Sequence, residues 1–436
     1  MGTYKSVTEL IGKTPLLEID KKVHGLKNIR LFAKLEMENI FGSLKDRIAW
    51  NILKDDIEDI REHSLQVVEL SSGNTAKALS VLANMVGASF KTITNRIKVP
   101  EQRDLLLLLG AQIEELPGLS ECPDLTNPND PLTYIKRQLA ENPGKYYHTD
   151  QYFNPKNRAA HYEGTGQEII DDLGTAPDFF IAGLGTAGSS SGITQKLKEH
   201  NPELITVGIV AEKSDFIPGI RTIDEMYEVG LFQPDQYKNI EVVSSHQAVE
   251  GALQLVRKVG LLAGPTTGST YQGAIRHLQQ IDESLTREHT AVFIACDRIE
   301  TYISYFKKRR PDIFNAPATS VEALTSDQVE QFTKEIDAEE FQKLDPNTLI
   351  IDARGSVAYE LGTVHPTAIN IPQDVLEGML MRSLPFSKTQ KVAFVCPTGT
   401  ATKKYTALVN ERGGTAVNLK GGIAAWLAVG KKLVRV

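Results

Sequence analysis

Four short stretches of this 436-residue chain hold side chains of the right type and spacing to do chemistry. The first is Phe41-Gly42-Ser43-Leu44-Lys45-Asp46-Arg47. Ser43 suits a helix N-cap, which puts Lys45 in the first turn. The positive end of the helix dipole disfavours a protonated amine there. An amine of lowered pKa attacks carbonyls and forms Schiff bases; the plain alternative is a solvated helix-start lysine. The second is Ser71-Ser72-Gly73-Asn74-Thr75, directly after the apolar run Val67-Val68-Glu69-Leu70. At a strand end that opens a helix, its N–H groups can hold a carboxylate, or simply cap the helix.

The third is the run from Gly183 to Gly192, with Gly185-Thr186-Ala187-Gly188-Ser189 at its centre. Glycines free the backbone N–H groups to approach an anion and the hydroxyls add donors, so a phosphate is expected. Gly183, Gly185 and Gly188 also spell the dinucleotide pattern, and Glu212 follows the next strand, so a nicotinamide-dependent dehydrogenase stays open at this point. The fourth is Cys396, between the apolar run Val392-Ala393-Phe394-Val395 and Pro397-Thr398-Gly399-Thr400-Ala401-Thr402. Converging N–H groups at such a loop favour a thiolate and suit the terminal sulfur of a persulfide; a small buried hydrophobe is the alternative.

The elements that must position these residues alternate. Ile29–Leu35, Leu65–Leu70, Phe179–Leu184, Ile205–Ala211 and Thr290–Cys296 predict strands. Lys45–Lys54, Asn74–Met85, Arg103–Leu109 and Gly192–His200 predict helices. That order favours a doubly wound parallel α/β sheet. Gly118–Pro131, rich in Pro, Asn and Asp, predicts a surface loop. Lys308–Ser320 predicts a linker. Beyond it, Leu349–Asp352, Ala368–Ile371, Val392–Cys396 and Ala416–Leu419 predict the strands of a second, smaller α/β domain. The expected domains are 1–307, a linker at 308–320, and 321–436.

A net charge of −7 argues against nonspecific nucleic-acid binding, which needs a basic field. The three cysteines, Cys122, Cys296 and Cys396, are too few for a disulfide framework and predict reduced thiols. No apolar run approaches the ~20 residues of a membrane span, and the opening MGTYKSVTEL lacks a signal-peptide core. A cytoplasmic enzyme without a membrane, nucleic-acid or metal partner is expected.

Residues 1–305 resemble the cysteine synthase and cystathionine β-synthase family of pyridoxal-phosphate enzymes, whose fold is two-lobed (fold type II). The resemblance rests on Ile11-Gly12-Lys13-Thr14-Pro15-Leu16, Ser43–Arg47, Ser71–Thr75, Gln151–Pro155, Gly185–Ser189, Gly264-Pro265-Thr266-Thr267-Gly268, and Asp297, Glu300, Tyr302 and Ser304. It implies a Schiff-base lysine at Lys45 and a cofactor site formed with Asn74, Gly185, Thr186, Ala187, Gly188, Ser189 and Thr266. It also implies a substrate-carboxylate site of Ser71, Ser72, Thr75 and Gln151. A hydroxyl at Thr266 against the pyridine nitrogen would leave the ring a weaker electron sink, favouring β-elimination over transamination. Ile217-Pro218-Gly219-Ile220-Arg221 is similar to the B-type cysteine synthases, and Arg221 could pair with an anionic leaving group. Ala76, Ala187 and Ser71 depart from the usual Gly, Gly and Thr, and the Ile40-Phe41 pair is bulkier than the usual Pro-Gly. A homodimer is implied as well.

Residues from about 320 to 436 resemble a rhodanese-like sulfurtransferase domain. The matching pieces are Leu349–Arg354, Ala368–Pro372, the Cys396 loop, and Leu419-Lys420-Gly421-Gly422-Ile423 with Trp426. Asp352 and Arg354 are expected to brace the loop, and Cys396 to carry a persulfide. Pro397 and Ala401 stand where many such domains have a cation, so a persulfide or polysulfide donor is expected rather than thiosulfate. Together the resemblances imply β-replacement on O-acetylserine or O-phosphoserine to form cysteine or a related S-substituted alanine, with sulfur from Cys396. Two alternatives accompany this. One is a cysteine or cystine β-lyase passing sulfur to Cys396; the other is a second domain that only docks or regulates.

Overall fold

The computed structural model describes residues 3–94, 97–116, 131–213, 215–314 and 323–435. The Gly118–Pro131 loop, Cys122 included, lies outside the described residues except for Pro131, which begins a helix, Pro131–Glu141. The chain divides into two compact units, Met1–Ser304 and Tyr305–Val436. Within the expected linker, Pro311–Phe314 forms a 3-10 turn, and residues 315–322 lie outside the described set.

The first unit holds strands β1 (Leu16–Ile19), β2 (Ile29–Lys34), β3 (Gln66–Leu70), β4 (Phe90–Thr94), β5 (Gln112–Glu115), β6 (Tyr146–His148), β7 (Phe179–Gly183), β8 (Ile205–Ala211), β9 (Asn239–Val243) and β10 (His289–Ile294). They form two sheets, ordered β1-β2-β10-β7-β8-β9 and β5-β4-β3-β6. Every pairing is parallel except β1 on β2. Parallel strands buried on both faces read as unbroken apolar runs, as Ala291-Val292-Phe293-Ile294 does.

The helix Lys45–Leu53 is the seam between these sheets. Ile48 and Ile52 pack with Phe32, Phe180, Ile193 and Val292 of the larger sheet's core. Ala49 and Leu53 pack with Val67, Leu79, Leu82 and Phe90 of the smaller. Two pairs at i, i+4 thus give the helix two apolar faces.

The expected elements are present: Ile205–Ala211, Asn74–Met85 and Leu349–Asp352 have the expected bounds, and the others have shifted ends. The helix foreseen at Arg103–Leu109 is Pro100–Leu108, because proline at the first position costs no hydrogen bond. The one foreseen at Gly192–His200 starts at Gly188, inside the glycine loop. Strands β4, β5, β6 and β9 have mixed polarity and were not foreseen.

The second unit is a five-stranded parallel sheet: β11 (Glu335–Ile336), β12 (Leu349–Asp352), β13 (Ile369–Asn370), β14 (Lys391–Val395) and β15 (Thr415–Leu419), in the order β11-β15-β14-β12-β13. One core, with Leu376, Leu380, Tyr405 and Leu408, packs on Ile351 and Phe394. A second, with Phe341, Ile423 and Trp426, packs on Ile350 and Val395.

Candidate active site

The chemistry-bearing segments of the first unit all leave the carboxyl ends of parallel strands. Ser71–Asn74 follows β3, Thr149–Gln151 follows β6, the glycine loop follows β7, and Cys296-Asp297 follows β10. Open α/β sheets bind ligands at that edge.

Lys45 is the first residue of its helix. Leu44, not Ser43, holds the cap position, but the Ser43 hydroxyl still accepts the Lys45 N–H at 3.2 Å. The ammonium has no hydrogen bond or ion pair among the described residues. Burial lowers its pKa, with Cys296 as a weaker opposing influence. Cys296 lies past the end of β10, not within it, and its carbonyl accepts the Leu44 N–H at 3.1 Å. Burial raises that thiol well above its ordinary value, so it is a neutral neighbour.

The helix is fastened by Arg47. Its guanidinium makes one fork to Glu36 (Nε–Oε2 2.7 Å, Nη2–Oε1 2.8 Å) and a second to Glu168 (both bonds 2.7 Å). Arg47 and Glu36 are buried. Arg47 holds the Glu168 carboxyl below the usual range against the opposing effect of burial.

The structure brings the Ser71–Thr75 segment and Gln151 together. Thr75 Oγ1 donates to Gln151 Oε1 at 2.8 Å, and Gln151 Nε2 donates to the Leu70 carbonyl at 2.9 Å. Ser71 Oγ accepts the Gly73 and Ala76 N–H groups, so its hydroxyl serves as a cap. Asn74 Nδ2 donates to the Tyr302 hydroxyl at 3.0 Å. Ser72 makes no side-chain hydrogen bond among the described residues.

Around the glycine loop the chain approaches itself closely. A Cβ on Gly185 would meet the Gly219 carbonyl at 2.5 Å, and one on Gly188 would meet Asn157 Oδ1 at 2.1 Å. Ala187 is left-handed (φ 58°) and caps the helix Gly188–His200, a conformation that favours glycine. Asn157 Nδ2 donates to Thr186 Oγ1 at 3.0 Å, which leaves the Thr186 proton for another acceptor. Gly188 and Ser189 open the helix, and Ser189 makes no side-chain hydrogen bond among the described residues. Thr266 Oγ1 donates to the Pro218 carbonyl at 2.5 Å, placing it against the Ile217–Arg221 turn. The Arg221 guanidinium lies 4.9 Å from the ring centre of Tyr152, next to Gln151, and Nη1 donates to the Glu225 carbonyl at 3.2 Å.

Two residues of this site carried no sequence signal. Asn157 is an ordinary polar residue of a helix start, yet it also ties Thr186 to the Gln151 carbonyl. Glu69 reads as one polar residue in a strand. It is buried and accepts the Gln151 N–H at 3.0 Å and the Thr149 hydroxyl, and burial raises its pKa to about 7.

In the second unit, Cys396 directly follows β14 and is buried. Thr402 Oγ1 lies 3.2 Å from its sulfur and 2.7 Å from Asn418 Oδ1. A Cβ on Gly422 would meet the Cys396 carbonyl at 2.2 Å, and the Ile423 N–H donates to that carbonyl at 3.0 Å. Asp352 and Arg354 act elsewhere than expected. Arg354 pairs with Asp352 and donates to the Gly362 carbonyl, and Thr363 Oγ1 donates to Asp352. They brace the Gly362–Thr363 turn, while Thr402, Asn418 and Gly421–Ile423 hold the cysteine loop. Lys403 is paired with Glu330 at 2.5 Å.

Residues 7–297 match the family described as pyridoxal-phosphate dependent enzyme. The chain belongs to that family. Residues 329–429 match the rhodanese-like domain, so this pyridoxal-phosphate enzyme is a fusion with a C-terminal rhodanese-like domain. The dinucleotide alternative falls with that match. Among curated relatives, cysteine synthase B of Pseudomonas aeruginosa is 28% identical over 303 residues, 69% of this chain and 96% of its own length. The N-(2-amino-2-carboxyethyl)-L-glutamate synthase of Ralstonia nicotianae is 29% identical, covering 69% of this chain and 88% of its own. A solved hydrogen sulfide-producing enzyme from Fusobacterium nucleatum is 26% identical with a TM-score of 0.61, covering 70% of this chain and 99% of its own.

The family's cofactor is pyridoxal 5'-phosphate, and the residues present fit it. Lys45 offers an amine that has no partner among the described residues. The Gly185–Gly188 cradle has no room for side chains at its two glycines and opens a helix N-terminus, as a phosphate requires. Among the described residues, no helix is long and apolar enough to cross a membrane.

Proposed function

We propose that the first unit catalyses β-replacement on an activated serine, O-acetylserine or O-phosphoserine, to form cysteine or a related S-substituted alanine. The observation that carries this is the Lys45 amine, desolvated and without a hydrogen bond or ion pair among the described residues, at the start of the helix that joins the two sheets, with the Thr75–Gln151 pair at the carboxyl ends of β3 and β6 of the smaller sheet. Bound at Lys45, Asn74, Gly185–Ser189 and Thr266, pyridoxal phosphate would supply the electron-withdrawing ring that makes a Cα proton acidic. The chain's own groups do the rest. Ser71, Ser72, Thr75 and Gln151 hold the substrate carboxylate through N–H and hydroxyl donors, and Glu69 fixes Gln151 from behind. Lys45, its pKa lowered by burial, removes the Cα proton as general base. Arg221, stacked on Tyr152, takes the anionic leaving group.

We assign the rhodanese-like domain to residues 321–436, after a first domain of 1–307 and a linker at 308–320, and in it Cys396 takes a sulfane sulfur from a persulfide or polysulfide. Two equivalents of a small thiol then restore the cysteine: they become one disulfide, and hydrosulfide leaves to add at Cβ. The cation nearest the loop on its own helix, Lys403, is tied to Glu330, which disfavours the dianion thiosulfate as donor. The reading includes a cytoplasmic homodimer.

A substrate screen on the yellow holoenzyme tests it, reading exchange of the Cα proton for deuterium and release of acetate, phosphate or sulfide. O-acetylserine or O-phosphoserine should lose its leaving group. Sulfide release from cysteine or cystine alone would replace synthesis by the lyase direction, and the similar Fusobacterium nucleatum protein is a hydrogen sulfide-producing enzyme. Lys45→Ala should lower deuterium exchange by about 10²–10⁴-fold, and borohydride should no longer fix the cofactor to the chain. Retention of both would remove Lys45 from the reaction.

A further inference from the structure

Lys77 lies one helical turn beyond Asn74 on the helix Asn74–Met85 and is half-buried. Its Nζ is 3.6 Å from the position a Cβ on Gly42 would occupy. Gly42 is left-handed (φ 86°) and belongs to the turn that delivers Lys45. Among the described residues no carboxylate stands within ion-pair distance of that ammonium. Its pKa is lowered chiefly by burial, against the pull of Asp46, Asp297 and Glu300.

Asp46 directly follows Lys45 and is fully buried. Its Oδ2 accepts the Phe41 N–H at 2.6 Å and its Oδ1 the Ser43 hydroxyl at 3.3 Å, so the carboxylate closes the Phe41–Ser43 turn onto the start of the lysine helix. We propose that Lys77 is a positioning residue for Lys45, supplying the positive charge against which Asp46 clamps this turn.

The charged groups around Asp46 come from several elements. Glu36, past β2, opposes its ionisation. Asp297, past β10, spends Oδ1 on the Thr267 N–H and hydroxyl. Arg298 is taken up by Glu300 (2.7 Å) and Glu38 (3.4 Å). Lys77 is the foremost charge favouring the Asp46 carboxylate, whose pKa burial nevertheless raises to about 7. Asp46 therefore changes charge near neutrality. Without Lys77 its pKa should rise further, by about one unit or more.

The proposal rests on Lys45 as the reacting amine, and its test separates the two. Lys77→Met and Lys77→Arg holoenzymes are compared with wild type in two measurements across pH 6.5–9: Cα deuterium exchange on O-acetylserine, and amide hydrogen exchange of the peptide containing Phe41, matched at each pH. In Lys77→Met the acid limb of the rate should move up by about one pH unit, a loss of roughly fivefold at pH 7 that disappears by pH 9. The Phe41 amide should exchange faster than wild type at pH 7 and alike at pH 9. Lys77→Arg, which keeps the charge, should follow wild type in both. Unshifted limbs and unchanged Phe41 exchange in Lys77→Met would overturn the proposal, as would an activity loss equal at every pH. If Lys45→Ala keeps its deuterium exchange, the Lys45 reading fails, while the Phe41 amide still decides whether Lys77 acts on Asp46.

Discussion

Lys45 owes its chemistry to what surrounds it. Loss of water around the amine is the chief influence on its pKa, lowering it against the weaker pull of Cys296. The phosphate cradle illustrates a cost at the same scale. Ala187 stands at φ 58°, where a Cβ is disfavoured by about 1–2 kcal/mol. Ala187→Gly should therefore raise stability by about 1 kcal/mol, after the glycine's added freedom in the unfolded chain is discounted. A urea midpoint that moves down instead would mean the alanine methyl packs productively. Lys45, Asn74, the glycine loop and Cys396 were legible in the sequence, because each combines a reactive or permissive residue type with a strand end. Asn157, Glu69 and Lys77 were not. Each is a common polar residue that acts through a neighbour, and only the folded geometry names that neighbour.

At the scale of elements, the helix Lys45–Leu53 matters most, since it joins two sheets and carries the amine at its first position. Its rivet is the double fork from Arg47 to Glu36 and Glu168. Removing one partner of a buried pair leaves an uncompensated charge, a cost of about 3–5 kcal/mol. Arg47→Met should lose that much in denaturant unfolding; a loss below about 1 kcal/mol, the scale of an exposed pair, would show that the fork is dispensable. Long apolar strands such as β8 and β10 were readable because burial on both faces writes an unbroken run. β5 (Gln-Ile-Glu-Glu), at a sheet edge, and the three-residue β6 were not, since neither pattern exceeds that of a loop. The bracing of Cys396 also escaped. Asp352 pairs across the sheet with Val395, next to Cys396, but the side-chain bonds of Asp352 and Arg354 run to Gly362 and Thr363.

At the scale of the whole molecule, a pyridoxal-phosphate dependent enzyme and a rhodanese-like domain share one chain, and the mainly parallel α/β character of both was foreseeable from their alternating strands and helices. The mild acidity, −7, decides nothing about substrates, because both sites offer local donors to anions. The central claim is that sulfur carried on Cys396 ends on the Cβ of a serine-derived substrate. Its most direct measurement supplies ³⁴S-labelled persulfide, a small thiol and O-acetylserine or O-phosphoserine, and weighs the amino-acid product by mass spectrometry. Wild type should yield ³⁴S-cysteine or a related ³⁴S-alanine, and Cys396→Ser should yield it only from free sulfide. Equal labelling by Cys396→Ser from the persulfide, or no labelled product from either protein while cysteine releases sulfide, would contradict the account.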